Sequence, residues 1–336
     1  MLHQFGYFLS SLCAFALGAF LPLVLHEAGH ILGGLAAGFR FFLFIVGPFK
    51  LERSSDRLKF SWNKKLSLWG GLAGCVPKTF GPNLRKPMLS FVLGGPAASA
   101  LGALVLWPLW TLGVPSEFLW NFLFAFGIAS AGIALTVIVP SRLAGFTSDG
   151  ARALMLLRRD PKGERWVAIM GVITLSLVER PREWPEELLK SLGDCQDVSF
   201  DAAYSAHARY LHCRDRGDIV EAGAWIDCML ARVEGVPRAF RGPLYAAAAD
   251  FQARYRNDAI RSRELLGLAE KAGGIAGPPL HLVRAAVSIA EGRNAEALQD
   301  LALAEPAINS QTPSLRPVLR EYLNELRAAC PHGVDP

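Results

Sequence analysis

Residues 21–37, which read LPLVLHEAGHILGGLAA, decide the fold. Three ionisable side chains, His26, Glu27 and His30, lie in this apolar run, and no Lys or Arg occurs between residues 1 and 39. A membrane-spanning helix needs about 20 apolar residues. Each ionisable group inside such a helix costs at least about 2.5 kcal/mol, so these groups are usually functional. The stretch therefore predicts a membrane helix that carries a polar site.

Two further stretches have the composition of membrane helices. Residues 88–139 contain no Lys or Arg, and Glu117 is their only acid. The predicted spans are 5–37, 87–110 and 118–139. After residue 141 charged residues are frequent and apolar runs are short, which indicates a water-exposed region. The apolar run 167–178 is too short to cross a membrane and predicts a buried helix of that region.

These observations predict an all-α protein in two parts. A multi-span transmembrane helical domain is followed by a cytoplasmic domain whose helices resemble tetratricopeptide (TPR-like) repeats. The repeat is indicated by turn-like pieces at residues 216–218, 256–258 and 292–294, and a plain helical bundle is the alternative. The predicted boundaries are 1–160 for the membrane-embedded domain, 161–195 for a helical linker and 196–330 for the cytoplasmic domain.

The loop between the first two predicted spans is strongly basic. The net charge is +5, and residues 40–87 contain ten basic side chains against two acids. Such a cluster between membrane spans is typical of a cytoplasmic loop, since positive charge accumulates on that side. We therefore expect a multi-pass protein of the cytoplasmic membrane, with the N-terminus outside and the C-terminal domain in the cytoplasm. Nucleic-acid binding is the other interpretation of the cluster, and we do not expect it.

The loop between the first two spans contains a β-strand pattern. Phe41–Val46 is aromatic and β-branched, and with Leu58–Trp62 it predicts a short hairpin at the membrane surface. An exposed strand of this kind offers an edge to which an extended peptide can add. The alternative is that 41–46 is simply buried against the spans.

The spacing of His26-Glu27-Ala28-Gly29-His30 predicts a metal site. On a helix, residues i and i+4 lie on one face, so both imidazoles can reach one Zn²⁺. Glu27 points about 100° away and is placed to act on water instead of binding the metal. The alternative is a pair of hydrogen-bonded histidines beside a neutral Glu.

A catalytic zinc site normally has three protein ligands, so a third must come from elsewhere. The remaining histidines lie at the far end of the first span or in the water-exposed part. Asp149 closely follows the third span on the side where the first span ends. It is therefore the predicted third ligand.

These residues resemble the site-2 protease family of intramembrane zinc metalloproteases. The resemblance covers about residues 15 to 160. It is carried by the His26–His30 motif, by Gly94-Gly95-Pro96 in the second span, and by Pro140 followed by Ser148-Asp149-Gly150. It implies that His26, His30 and Asp149 bind Zn²⁺ and that Glu27 is the catalytic base.

Two positions depart from the family pattern. Ser99 and Val137 stand where family members often carry Asn. These departures concern how a substrate is positioned and leave the predicted metal ligands unaffected.

The implied activity is zinc-dependent hydrolysis of peptide bonds in or near the transmembrane segment of a single-span membrane protein. A cytoplasmic protein is a further expected partner, through the C-terminal helices. One alternative is a catalytically silent membrane scaffold that presents those helices. Another is a metal-binding transporter, for which the spans offer no further intramembrane acids.

Overall fold

The three apolar stretches are long helices in the computed structural model, which describes residues 2–330 except 55, 56, 79, 80, 82, 144, 195 and 313. They are α1 (Leu2–Ala36), α2 (Arg85–Thr111) and α3 (Glu117–Ile138). Each is long and apolar enough to cross a membrane, so the three predicted segments are helices of the expected length and composition. Only 17–28% of the residues in their most apolar windows are buried inside the protein, so most of these side chains face outward. An apolar outer surface of this kind fits a lipid environment.

Contacts divide the chain into two units. The first contains Met1–Leu143 and Thr147–Gly163, and the second contains Ala144–Phe146 and Glu164–Pro336. Most of the predicted linker 161–195 thus belongs to the second unit.

Small residues let α1 and α2 approach closely at the level of the His motif. A Cβ atom on Gly29 would lie 2.4 Å from the carbonyl oxygen of Gly94, and one on Gly94 would lie 2.2 Å from that of Gly29. Since real Cβ atoms do not come so near to a backbone, only glycine fits at either position. The backbones of the two helices therefore touch beside His30.

A four-stranded antiparallel sheet occupies the loop between α1 and α2. Its strands are β1 (Arg40–Val46), β2 (Phe49–Ser54), β3 (Arg57–Trp62) and β4 (Leu72–Val76), in the order β3-β2-β1-β4. The sheet is larger than the predicted hairpin, because β2 and β4 were not anticipated. It also corrects the pairing: β1 pairs with β2 and β4 instead of with β3.

The sheet lies alongside α1. A Cβ atom added to Gly47, at the tip of the first hairpin, would lie 2.9 Å from the ring of Phe20. The ring of Phe20 also contacts the ring of Phe49. At the other end, Phe39 follows α1 directly and leads into β1. The sheet therefore runs back along α1 past His26 and His30.

A short connection links α3 to the next helix. It contains the two-residue strands β5 (Arg142–Leu143) and β6 (Phe146–Thr147), and α4 (Asp149–Arg158) follows. The predicted third ligand, Asp149, is therefore the first residue of α4.

The second unit is helical. Its elements are α5 (Pro161–Leu175, which begins in the first unit), α6 (Glu186–Ser191), α7 (Phe200–Arg216), α8 (Ile219–Leu230), α9 (Arg241–Tyr255), α10 (Ala259–Ala272), α11 (Pro278–Ala290), α12 (Asn294–Ile308) and α13 (Leu315–Ala329). The run 167–178 lies largely in α5, and its residues Val167, Ala168 and Ile169 are buried, as predicted. Neighbouring helices pack as pairs, α7 with α8, α9 with α10 and α11 with α12. This pairing suits a TPR-like arrangement, which stays a prediction.

Candidate metal centre

The helical spacing of His26 and His30 brings their rings together. Their Nε2 atoms are 3.2 Å apart, and their side chains are buried, with residue exposures of 4% and 6%. Both nitrogens are also 3.3 Å from the same oxygen, Oδ2 of Asp149. The structure thus brings the three predicted ligands into one cluster, and these are the residues in the described part of the chain that could hold a metal ion.

The connection after α3 positions Asp149. Ser148, the N-cap of α4, donates through its hydroxyl to the carbonyl of Val139 at 2.8 Å and accepts from the backbone N–H of Ser141 at 2.9 Å. Gly150 lies against the carbonyl of Ile138, where an added Cβ would be 1.8 Å from the oxygen. The sequence Ser148-Asp149-Gly150 therefore ties the start of α4 to the end of α3 and directs the carboxylate to the histidines.

The distances within the cluster suit a tetrahedral metal. Ligand atoms that lie 2.0–2.1 Å from a tetrahedral zinc ion are roughly 3.3 Å from one another. The three observed separations are 3.2, 3.3 and 3.3 Å. Two imidazole nitrogens and one carboxylate oxygen are also a donor set that zinc accepts in catalytic sites. The residues present therefore fit a zinc ion.

Both imidazoles are oriented by α2 through their other nitrogen. His30 Nδ1 donates to the backbone carbonyl of Phe91 at 2.9 Å, and His26 Nδ1 is 3.0 Å from the hydroxyl of Ser99. A carbonyl only accepts, so His30 carries a proton on Nδ1, and in its neutral form the lone pair lies on Nε2. That lone pair faces a carboxylate oxygen. Such outer hydrogen bonds are what fixes the ring orientation of metal-binding histidines.

Three arrangements satisfy the atoms of the cluster. One is a shared metal ion, another is an extra proton on the histidines, and the third is the neutral His26 tautomer whose Nε2–H donates to the carboxylate while Nδ1 accepts from Ser99. In the protonated arrangement burial acts to raise the pKa of the Asp149 carboxyl, but hydrogen bonds from His26 and His30 outweigh burial and hold the pKa below its ordinary value. A proton bridges only two atoms, whereas the separations of all three atoms match a shared metal.

Gly95 makes room for the His30 ring. A Cβ at this position would lie 2.3 Å from His30 Nε2 and 2.6 Å from the neighbouring ring carbon. Any other residue would push the ligand nitrogen out of the cluster. The two glycines of the Gly94-Gly95-Pro96 motif thus have separate functions, since Gly94 admits the α1 backbone and Gly95 admits the imidazole.

Glu27 faces the sheet. It is 7% exposed, and its carboxylate accepts a hydrogen bond from the backbone N–H of Ala73 in β4. Gly71, with φ of +101°, lies so close that an added Cβ would be 2.2 Å from Glu27 Oε1. Glu27 is near enough to the cluster to interact with His30 and Asp149 electrostatically. It therefore lies beside the three ligands without sharing their position.

The edge of the sheet beside Glu27 is β4. The Ala73 N–H that reaches Glu27 is directed away from β1, and no strand pairs with this outer edge among the residues that the structure describes. The expectation that Phe41–Val46 offers a free edge is wrong, because β1 is paired on both sides. The hydrogen-bonding capacity that faces the cluster belongs to β4 instead.

Two groups at this site were not predicted from the sequence. Ser99 was noted only as a departure from a family pattern, yet its hydroxyl contacts His26. The Gly71–Ala73 segment carries no polar side chain, so only its backbone recognises Glu27 and the sequence contains no signal for it. Val137 has no contact with the cluster that the structure records.

Comparisons of the chain with models of protein families, with curated proteins and with solved structures find no match. The resemblance to the site-2 protease family therefore stays a prediction from the sequence motifs.

Proposed function

We propose that the chain is an intramembrane zinc metalloprotease that hydrolyses peptide bonds in or near the transmembrane segment of a single-span membrane protein. The observation that carries this proposal is the convergence of His26, His30 and Asp149 at tetrahedral separations, with Glu27 beside them on the same helix. All four lie in or next to helices that are apolar enough to cross a membrane.

The cluster leaves room for a reactant. Zinc, when bound, lowers the pKa of water and polarises a carbonyl group. Three protein ligands leave one tetrahedral position open. The Asp149 side chain is 22% exposed while both histidines are nearly inaccessible, so water and substrate approach from the Asp149 side.

Glu27 is the proposed general base. Its carboxylate is not one of the three ligands, and the Ala73 N–H holds it in place. It accepts the proton of the attacking water and returns that proton to the leaving amine, which is the role of the Glu in a helical His-Glu-x-x-His site.

The edge of β4 is the proposed place for the substrate. A transmembrane helix uses its own carbonyls and N–H groups in internal hydrogen bonds, so it must unwind before hydrolysis. An unwound segment can pair with an open strand edge. Since the outer edge of β4 faces Glu27, pairing there would bring an extended segment to the base.

The test measures zinc and cleavage together. The wild-type protein and a Glu27→Gln variant are purified in detergent, zinc per chain is measured, and both are assayed on single-span substrates in the same membrane preparation. We expect one zinc per chain in both proteins, and a loss of cleavage of at least about 100-fold in the variant. Glu117→Gln, which removes the other acid of the spans, is the matched control and should retain cleavage.

The outcomes separate the proposal from its alternative. Wild-type protein that binds no zinc would refute a metalloprotease. Zinc at one per chain without cleavage of any substrate in either protein would favour the catalytically silent scaffold.

A further inference from the structure

The second unit contains a cavity of about 340 Å³. Its wall is formed by one face each of α5, α7, α9, α11 and α13. Apolar side chains from these helices that line it include Ile169, Val172, Leu211, Val283 and Leu315. This volume lies within the range of sites that hold small molecules, and an apolar lining with a few polar groups is typical of them. The cavity is not part of the proposed metal centre, whose residues all belong to the first unit.

Two charged groups of the cavity cancel each other. Arg214 Nη1 is 3.2 Å from Asp250 Oδ2, and the exposed fractions of their side chains are 18% and 2%. Tyr322 also donates to Asp250 through its hydroxyl. This pair therefore leaves no net charge for a ligand.

Glu179 leaves a net negative charge. It lines the cavity and is half-buried, and its carboxylate makes no hydrogen bond or ion pair with any residue that the structure describes. The nearby cations are already paired, since Arg180 and Arg182 both contact Asp215 and Glu321. An ion pair with a bound cation would stabilise this carboxylate.

His207 adds uncommitted hydrogen-bonding capacity without adding charge. Burial, assisted by the positive charge of Arg214, lowers the pKa of His207 to about 4, so the imidazole is neutral at pH 7. Its ring contacts Tyr204 and Tyr210, and its nitrogens have no hydrogen-bond partner in the described part of the chain. Trp184 is 3% exposed and its Nε1–H is likewise without a partner there.

We propose that this cavity binds a small organic cation with an apolar body, whose ammonium group pairs with Glu179. The apolar lining accepts the body. The polar groups of the lining that remain unused among the described residues are the carboxylate of Glu179, the imidazole of His207, the indole N–H of Trp184 and the hydroxyl of Tyr204. An anionic ligand would meet Glu179 without a compensating cation, because Arg214 is held by Asp250. A neutral ligand would leave the carboxylate without an ion-pair partner.

Three probes with one skeleton test the charge preference. They are 4-(4-fluorophenyl)butylamine, which is cationic, 4-(4-fluorophenyl)butanol and 4-(4-fluorophenyl)butyrate. Binding to the full-length protein in a neutral detergent is followed by fluorine NMR at one detergent concentration, so that partition into micelles is the same for every variant. We expect the amine to bind about tenfold more tightly than the alcohol, and the carboxylate to bind most weakly.

Three variants test whether Glu179 causes the preference for the amine and whether the probes bind in the cavity. Glu179→Gln should weaken the amine to the level of the alcohol and leave the alcohol unchanged. Glu187→Gln, an exposed acid of the same unit that does not line the cavity, should change neither. Ala247→Phe should fill the cavity and abolish the binding of all three probes.

Three results would overturn the proposal. They are no binding of any probe, equal binding of amine and alcohol to the wild type, and a preference for the amine that survives Glu179→Gln. Measuring zinc per chain in the same samples keeps this result separate from the fate of the metal centre.

Discussion

The second unit buries Arg214, Asp250 and Arg254 together, and the first unit buries His26 and His30 against Asp149. In the second unit each buried charge has an opposite charge beside it: Asp250 contacts both arginines, and Arg254 also pairs with Glu325. In the first unit one oxygen of the Asp149 carboxylate faces Nε2 of both imidazoles, and the described residues place no Lys or Arg against it. A buried polar or charged group that lacks a hydrogen-bond or ion-pair partner lowers the stability of the fold by several kcal/mol.

The comparison teaches how to recognise a site among buried polar clusters. A cluster in which every charge has an opposite charge beside it stabilises the fold and needs no ligand. A cluster in which one carboxylate oxygen faces two imidazole nitrogens has the ligand atoms to hold an added cation. Burial alone does not distinguish the two, because Asp250 is more buried than Asp149.

Asp149→Asn changes the cluster of the first unit and has the largest expected effect of the substitutions considered. The amide can donate to the imidazoles but is a far poorer zinc ligand, so zinc affinity should fall by more than about 100-fold. Competition with a chromophoric chelator measures the zinc affinity of both proteins. Unchanged zinc affinity would show that Asp149 is not a ligand.

Asp250→Asn changes the cluster of the second unit. Arg214 would lose its charged partner inside the fold, and removal of one member of a buried pair costs about 3–5 kcal/mol. Hydrogen exchange of the α7 and α9 amides should therefore accelerate strongly. Zinc per chain should not change. If the Asp250 variant keeps wild-type exchange rates, the buried ion pairs of Asp250 do not stabilise the second unit.

The sequence predicted most of this architecture where local patterns are strong. The spans followed from long runs without Lys or Arg. The turn-like pieces at 216–218, 256–258 and 292–294 fall where α7 meets α8, α9 meets α10 and α11 meets α12. The strands β2 and β4 were missed. β2 carries Lys50, Glu52 and Arg53, so its pattern resembles a charged loop, and β4 contains Gly74 and no β-branched residue before Val76. Their pairing with β1 is a non-local contact, which sequence patterns do not record.

The sequence also predicted the ligands but not their supports. The spacing from His26 to His30 is a helical property and could be recognised locally. The partners of those rings, Ser99 and the Phe91 carbonyl, depend on how α2 packs on α1. Only the three-dimensional packing reveals which residue of α2 faces which nitrogen.

Ser99→Ala tests whether the hydroxyl of Ser99 orients a metal ligand of the first unit. The variant removes the hydroxyl beside His26 Nδ1 and keeps all three ligands. Loss of an outer hydrogen bond typically weakens metal binding about 10- to 100-fold, and we expect zinc affinity to fall within that range. Ser130→Ala is the matched control, because Ser130 is equally buried in α3 and its hydroxyl has no partner in the described structure. Equal zinc affinities of the two variants would mean that Ser99 does not orient the ligand.

The smallest expected effect is a pH dependence that belongs to the second unit alone. Burial, with the charge of Arg214, holds the pKa of His207 at about 4, below the ordinary value of 6.5. Between these two values the unfolded chain binds a proton that the folded chain does not, so stability falls as the pH falls from about 6.5 to about 4. Because the ring is partly accessible from the cavity, we expect a loss of about 1 kcal/mol at pH 5. His207→Gln should remove this part of the loss.

Hydrogen exchange of the α7 amides at pH 7 and pH 5, corrected for the intrinsic exchange rate, measures this effect in both proteins. Comparing the two cancels the other titrating groups, including those of the metal centre. If wild type and variant lose the same protection, His207 is protonated in the folded protein at pH 5. Its imidazole would then be a cation, and the second unit would contain a charge that no carboxylate of the described residues contacts.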